Sequence, residues 1–201
     1  MLKPRQADLT RHQLLQSAMH EIHQHGFQGA SLSRILDNTG LTKGALYHHF
    51  PNKLALGYAV VDELLAMYMQ SVWLEPLASG DDPLHAIEQA ITTTWTEHGR
   101  ELLRLGCPIN NLSQEMSPLD EGFRIRIDSL YAAWQQALEQ GLRRGRQAGH
   151  LRSNLDIPQT AIFIMAAIEG CFGLAKNRQS ESAMQVCSAG LYAYLQSLRA
   201  E

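Results

Sequence analysis

Cysteine is scarce in this chain of 201 residues, and its few copies rule out two architectures at once. The three stand at positions 107, 171 and 187, an odd number without C-x-x-C or metal-ligand spacing. Neither a disulfide framework nor a metal centre is expected, and a reducing cytoplasm is the simplest setting. Long apolar runs are missing too. No stretch reads as the roughly 20 apolar residues of a membrane span, so no membrane partner is expected. The opening MLKPRQADLTRHQLL lacks the apolar core of a secretory signal. Strand-like alternation is rare, and β-branched residues cluster only at ITTT, 91–94. Internal repeats, low-complexity tracts and catalytic-triad spacings are absent. Cys107 with a C-terminal histidine is the only pair that could serve an enzyme, so no catalysis and no cofactor are expected.

Basic charge is likewise in short supply, with a net charge of −3, until the chain is divided. Residues 1–53 carry six Lys/Arg against three acids, and six of the nine histidines. The other 148 residues hold eleven basic groups against seventeen acidic ones. Such asymmetry suggests a nucleic-acid-facing head on an acidic body. A surplus of three charges is modest, so amides, hydroxyls and helix termini must share the contacts.

What the head does contain is SLSRILDNTGLTKGALYHHFPNK, residues 31–53. Ser31 is a good N-cap, with Leu32, Ile35 and Leu36 following at helical spacing. Gly40 suits the left-handed residue that ends a helix. Thr42 can cap a second short helix carrying Leu46 and Phe50 at i, i+4. Two short helices around a glycine turn make a helix-turn-helix, whose second helix fits a DNA major groove. Its exposed face offers Lys43, Gly44, Tyr47, His48 and His49. Further candidate DNA contacts are Arg11, Ser31 and Arg34, the last either weakening its helix start or reaching DNA.

The rest also reads as helix. A first helix spans about Thr10 to His25, and a long one begins at Lys53 and persists to about Leu74. EPLASGDDP, 75–83, reads as a linker ending in an Asp82–Pro83 start signal. Gly99 to Gly106 reads as irregular or weakly helical, and a short helix begins at Pro108. Ser117-Pro118-Leu119-Asp120 resembles a capping box that opens a long helix. Asp156–Pro158 and Ser180 start the last two helices. Both are apolar over more than one face, so they form either the core of a monomer or, the favoured reading, a homodimer interface. The expected fold is all-α, about nine helices, with an N-terminal DNA-binding domain at 1–53 and a regulatory and dimerisation domain at 54–201.

TRHQLLQSAMHEIHQHGFQGASLSRILDNTGLTKGALYHHFPNKLAL resembles the N-terminal domain of TetR/AcrR-family transcriptional regulators. The matching features are Gly26-Phe27, Ser31-Leu32, Ile35, Gly40-Leu41, Lys43-Gly44, Leu46-Tyr47, His49-Phe50 and Asn52-Lys53. The resemblance implies all-α homodimers, usually repressors, released from double-stranded operator DNA when a small molecule binds the C-terminal domain. It implies that Thr42, Lys43 and Gly44 open the recognition helix, that Tyr47 and His49 meet phosphates, and that Lys53 is a further phosphate contact. Arg34 and Pro51 depart from the family pattern. Arg104-Leu105-Gly106-Cys107-Pro108 and Gly173-Leu174-Ala175-Lys176 resemble a branch that represses electrophile-detoxifying enzymes, in which the matching cysteine can be the sensor.

Cys107 therefore has two readings. It is either a small buried hydrophobe or a thiolate activated by a helix start and by a cation such as Lys176 or Arg104. Candidate ligand-lining residues lie at helical spacing on the middle helices. They are Trp95 and His98 on one, Cys107 and Met116 at the ends of the short helix, then Phe123, Ile127, Tyr131 and Trp134. Met165, Glu169 and Phe172 on the penultimate helix complete them. The expected function is a homodimeric repressor released by an unidentified small-molecule inducer or by thiol modification. An activator of the same fold and a non-specific DNA-coating protein are the alternatives.

Overall fold

The computed structural model describes residues 6–80 and 82–200, and every regular element among them is a helix. Lys3 and Arg5, counted in the cationic head, lie outside the described residues. The helices are α1 (Gln6–Gly29), α2 (Leu32–Thr39), α3 (Lys43–His49), α4 (residues 53–78), α5 (Pro83–Leu105), α6 (Pro108–Met116), α7 (Glu121–Gln147), α8 (Ile157–Arg178) and α9 (Glu181–Ser197). They divide into two compact units, one of residues 6–67 with 108–128, the other of 68–107 with 129–200.

In the first unit, α1, α2 and α3 enclose Leu14, Leu15, Ala18, Ile22, Ile35, Leu36, Leu46 and Phe50, all buried. At the end of α1, Gly26 takes a left-handed φ of 72°. The amides of Phe27 and Gln28, exposed by that turn, both donate to the Glu115 carboxylate of α6 at 2.8 Å. Phe27 lies edge-on to Phe123 of α7, centroids 4.6 Å apart, and both rings close over Gly57 of α4. Tyr58 packs on the same Phe123 and donates to Asp120 at 2.7 Å.

The second unit buries Trp73 against Trp134 and encloses Leu77, Leu84, Ile87, Leu138, Leu142, Ile164, Ile168, Leu191 and Leu195. Asp82 caps α5, accepting from Leu84 and His85 amides, and pairs with Arg199 at 3.0 Å. Helices α8 and α9 form an antiparallel hairpin, turned by Gln179 in the left-handed region at φ 48°. The Gln179 side-chain amide donates to the carbonyls of Lys176, Leu103 and Arg104. It thereby ties the end of α5 to the end of α8.

One open reading of the sequence is settled and three need correction. Of the two readings of 99–106, the helical one holds as far as Leu105, and the Trp95 indole covers Gly99, where a Cβ would sit 3.1 Å from the ring. The 75–83 linker is shorter, since Glu75–Ala78 is still helical. Ser117–Leu119 is the turn after α6, and the cap of α7 is Asp120, which accepts from the Phe123 amide at 2.8 Å. Finally, Ile157–Arg178 does reach the length and mean hydropathy (1.5) of a membrane span, by composition alone. In the fold it packs on α5 and α9.

Candidate nucleic-acid interface

The site starts with two short helices whose ends are fixed by side chains. Ser31 Oγ accepts from the Arg34 amide and Thr42 Oγ1 from the Ala45 amide. Gly40 closes α2 at φ 66°, its amide donating to Leu36 at 2.8 Å. A side chain at N3 usually returns the favour by accepting from the N-cap amide. Arg34 occupies N3 and has no oxygen to offer. Glu21 of α1 supplies the missing acceptor, taking the Ser31 amide at 2.9 Å and Arg34 Nε at 2.6 Å. Arg34 also donates to the Gly29 carbonyl at 2.8 Å. Burial works to raise the Glu21 carboxyl, but Arg34, the Ser31 amide and His25 together hold it below the usual carboxylate range. The α1–α2 corner is thus locked by one buried anion.

With the frame fixed, α3 turns Leu46 inward and presents Thr42, Lys43, Gly44, Tyr47 and His48 to solvent, Tyr47 52% exposed. His49 is half-buried and stacks edge-on against His48 at 5.1 Å. Burial, then His48 and Arg11, lower its pKa, so the ring is poised neutral and can serve as donor or acceptor. A cation, a phenol and two imidazoles on a face with a glycine opening suit a phosphate backbone and base edges.

The flanking candidates are differently placed. Arg11 makes a two-pronged ion pair with Glu63 and lies over the Phe50 ring. Lys53 donates to the Gln28 carbonyl at 3.0 Å and sits above Phe27, where burial lowers its pKa. Ser31 and Arg34 are bound to Glu21 as described.

The ligand-lining candidates do not fall in one unit. Met116, Phe123 and Ile127 are core residues of the first. Cys107, Trp134 and Phe172 are buried in the second, where Trp95, Tyr131, Met165 and Glu169 are half-buried and His98 is exposed beside Glu97. Two residues absent from that set stand out there. Thr94 is buried, and Tyr68, largely buried near Cys107 and Glu169, has its phenol held protonated by desolvation first and by those groups second. Sequence periodicity gave neither a signal, since a threonine and a tyrosine on an amphipathic helix look like neutral filler.

Fold and site together define a DNA-binding transcriptional regulator of the helix-turn-helix type. Residues 14–60 match the profile of bacterial regulatory proteins of the tetR family, and residues 84–191 match the tetracyclin repressor-like C-terminal domain. The chain is 32% identical over 142 residues to the transcriptional repressor NemR of Escherichia coli K12, covering 69% of each. It is 25% identical over 173 residues to the transcriptional regulator AcuR of Cereibacter sphaeroides, 85% of this chain and 78% of that one. The reduced form of E. coli NemR superposes with a TM-score of 0.77 at 27% identity, over 95% and 97% of the two chains. A regulator from Cytophaga hutchinsonii shares the fold over both whole chains at a TM-score of 0.87 and 20% identity. The protein belongs to the TetR family of transcriptional regulators.

Proposed function

We propose that this regulator is a cytoplasmic homodimeric repressor that leaves its operator when a small molecule, or a thiol modification, alters residues 54–201. The observation that carries the reading is the exposed Lys43–Gly44–Tyr47–His48 face on a helix capped at both ends. In this reading residues 1–53 form the DNA-reading head. Thr42, Lys43 and Gly44 approach base edges, and Tyr47, His48 and His49 meet phosphates. Arg11, Arg34 and Lys53 contribute positive field from the positions where Glu63, Glu21 and Gln28 hold them, and Ser31 serves as a cap.

Dimerisation is assigned to α8 and α9. Ile162, Phe163, Leu174 and Val186 are each more than half exposed, with Gly170, Gly173 and Gly190 open between them. An apolar, small-residue face of this kind supports an isologous helix-bundle contact. A dimer engages half-sites about 34–36 Å apart, so an inducer that changes the spacing of two α3 helices abolishes simultaneous contact. A ligand does this only through different affinities for the two forms. Buried Cys107, just before Pro108, is the candidate redox sensor, with Lys176 as its candidate cation. That the relative NemR is described in a reduced form supports this assignment.

Footprinting on the promoter beside the protein's own reading frame tests the reading. One short palindrome should be protected, and Lys43→Ala with Tyr47→Phe should weaken binding at least tenfold without changing the melting temperature. Uniform coating of any duplex, or no binding at low salt, overturns it.

A further inference from the structure

The hairpin of α8 and α9 brings together two of the three cysteines. Its register is fixed by Phe163 of α8 against Tyr194 of α9, ring centroids 4.7 Å apart. From that crossing Cys171 lies eight residues onward and Cys187 seven residues back. At ~1.5 Å per residue both climb ~11 Å along antiparallel axes and arrive at the same level. There the two thiols are near enough for Cys187 to act on the Cys171 thiol. Both are free and half-buried, with exposed Gly170, Gly173 and Val186 beside them. Among the described residues no third His, Cys, Asp or Glu joins them, so the pair is a dithiol and not a metal site.

We propose that Cys171 and Cys187 are a closable thiol pair, oxidised to an intrachain disulfide by small disulfide-type oxidants and reopened by thiols. The chemistry is exchange. One cysteine thiolate attacks a sulfur of the oxidant R–S–S–R, forming a mixed disulfide and releasing R–S⁻. The second cysteine, deprotonated, attacks the protein sulfur of that intermediate and expels a second R–S⁻. The released thiolates take up the two cysteine protons, so two cysteine thiols and one oxidant disulfide become one protein disulfide and two RSH. Burial first, and Cys187 second, push the Cys171 thiol up to about 12. Little of it is ionised at neutral pH, so closure is slow and quickens as pH rises. The pair is distinct from buried Cys107. The same hairpin carries the apolar face assigned above to dimerisation. Closure would therefore fix that face, a consequence that rests on the dimer reading, whereas closure itself does not.

Oxidised glutathione at pH 8.5, on the whole protein, is the test. Intact mass should fall by about 2 Da as two hydrogens leave, and trypsin should release 153–176 joined to 179–199. The chain should run as a monomer on a denaturing, non-reducing gel, and dithiothreitol should reverse every change. The oxidised protein should melt about 5 °C or more higher, since the bond closes a loop of some fifteen residues. Cys171→Ser and Cys187→Ser, both conservative, should each abolish the joined peptide while leaving operator binding in place. Retention of both thiols towards an alkylating reagent after prolonged oxidation overturns the proposal. So does a bond joining two chains, or one that uses Cys107. Loss of operator binding in unoxidised protein would instead count against the reading of the DNA face, and leaves these mass readouts to decide the thiol pair.

Discussion

The corner around Gly57 and the hairpin of α8 and α9 use glycine for opposite ends. A Cβ on Gly57 would sit 2.4 Å from the Phe27 ring and 2.8 Å from that of Phe123. One on Gly122 would lie 2.1 Å from the Tyr58 hydroxyl. Both glycines are spaces already filled by their own chain. On the hairpin, Gly170, Gly173 and Gly190 have nothing within 4 Å of an added Cβ, and large apolar side chains stand exposed around them. One region is filled from within the chain, and the other leaves an apolar, small-residue face uncovered. Polar groups divide the same way. In the first unit, polar groups close into bonded clusters on Glu21, Glu115 and Asp120, whereas around the open glycines the hairpin exposes Ile162, Phe163, Leu174 and Val186.

The contrast breaks most visibly at Gly57. Gly57→Val should destabilise the folded chain by about 3 kcal/mol, because two interlocked rings must both move. Phe27 and Phe123 are pinned by Glu115 and the Asp120 cap, so little relaxation is available. Urea unfolding should show a lower midpoint with an unchanged slope. A loss below ~1 kcal/mol would mean that the corner is loosely packed and that the two regions differ less than the distances imply.

A smaller effect is expected at Glu21, where the polar half of the contrast can be read by pH. Glu21→Gln keeps one acceptor for the Ser31 amide and removes the charge that balances Arg34. A charge-assisted bond lost in a buried position costs about 2 kcal/mol. The folded carboxyl is depressed below its unfolded value of ~4.3. Its contribution is therefore present in full above that value and disappears as pH falls through the folded pKa. Wild type and variant should differ at pH 7 and converge towards pH 3 in parallel urea titrations. A difference that stays constant with pH would assign the loss to packing instead.

These two sites also mark where the sequence was legible. Ser31, Gly40, Thr42, Asn52, Asp82, Asp156 and Ser180 act on groups within four residues, so local pattern alone placed the helix-turn-helix and most helix starts. The side chains facing solvent on α3 followed from helical period, except His49, which was read as exposed and is half-buried. What stayed hidden is long-range. Nothing near Arg34 foretells that Glu21, thirteen residues earlier, completes its cap, and nothing in PINNLSQEM says that Glu115 will clasp amides 87 and 88 residues away. The segment 99–106 stayed open between irregular and weakly helical, because glycine weakens helix propensity and the Trp95 ring covering Gly99 comes from packing. The thiol pair was illegible for the same reason: sixteen positions apart in sequence, Cys171 and Cys187 meet only once the hairpin sets their register.

The smallest effect carries the opposite sign and sharpens the contrast furthest. Gly170 lies inside α8 with open space where a Cβ would go. In an exposed helix interior, alanine is favoured over glycine by about 1 kcal/mol, since the unfolded chain loses freedom and the folded one suffers no clash. Gly170→Ala should therefore stabilise the isolated chain, raising its melting temperature by about 2–4 °C at low protein concentration. If a second copy packs its backbone against this glycine, the added methyl group must weaken association in the same variant. Sedimentation equilibrium would show it as a larger dimer dissociation constant. Stability and assembly should thus move in opposite directions at one residue, an outcome impossible at Gly57, where the neighbouring atoms belong to the same chain. A variant that gains stability and dimerises as before would place the partner's approach elsewhere on the hairpin.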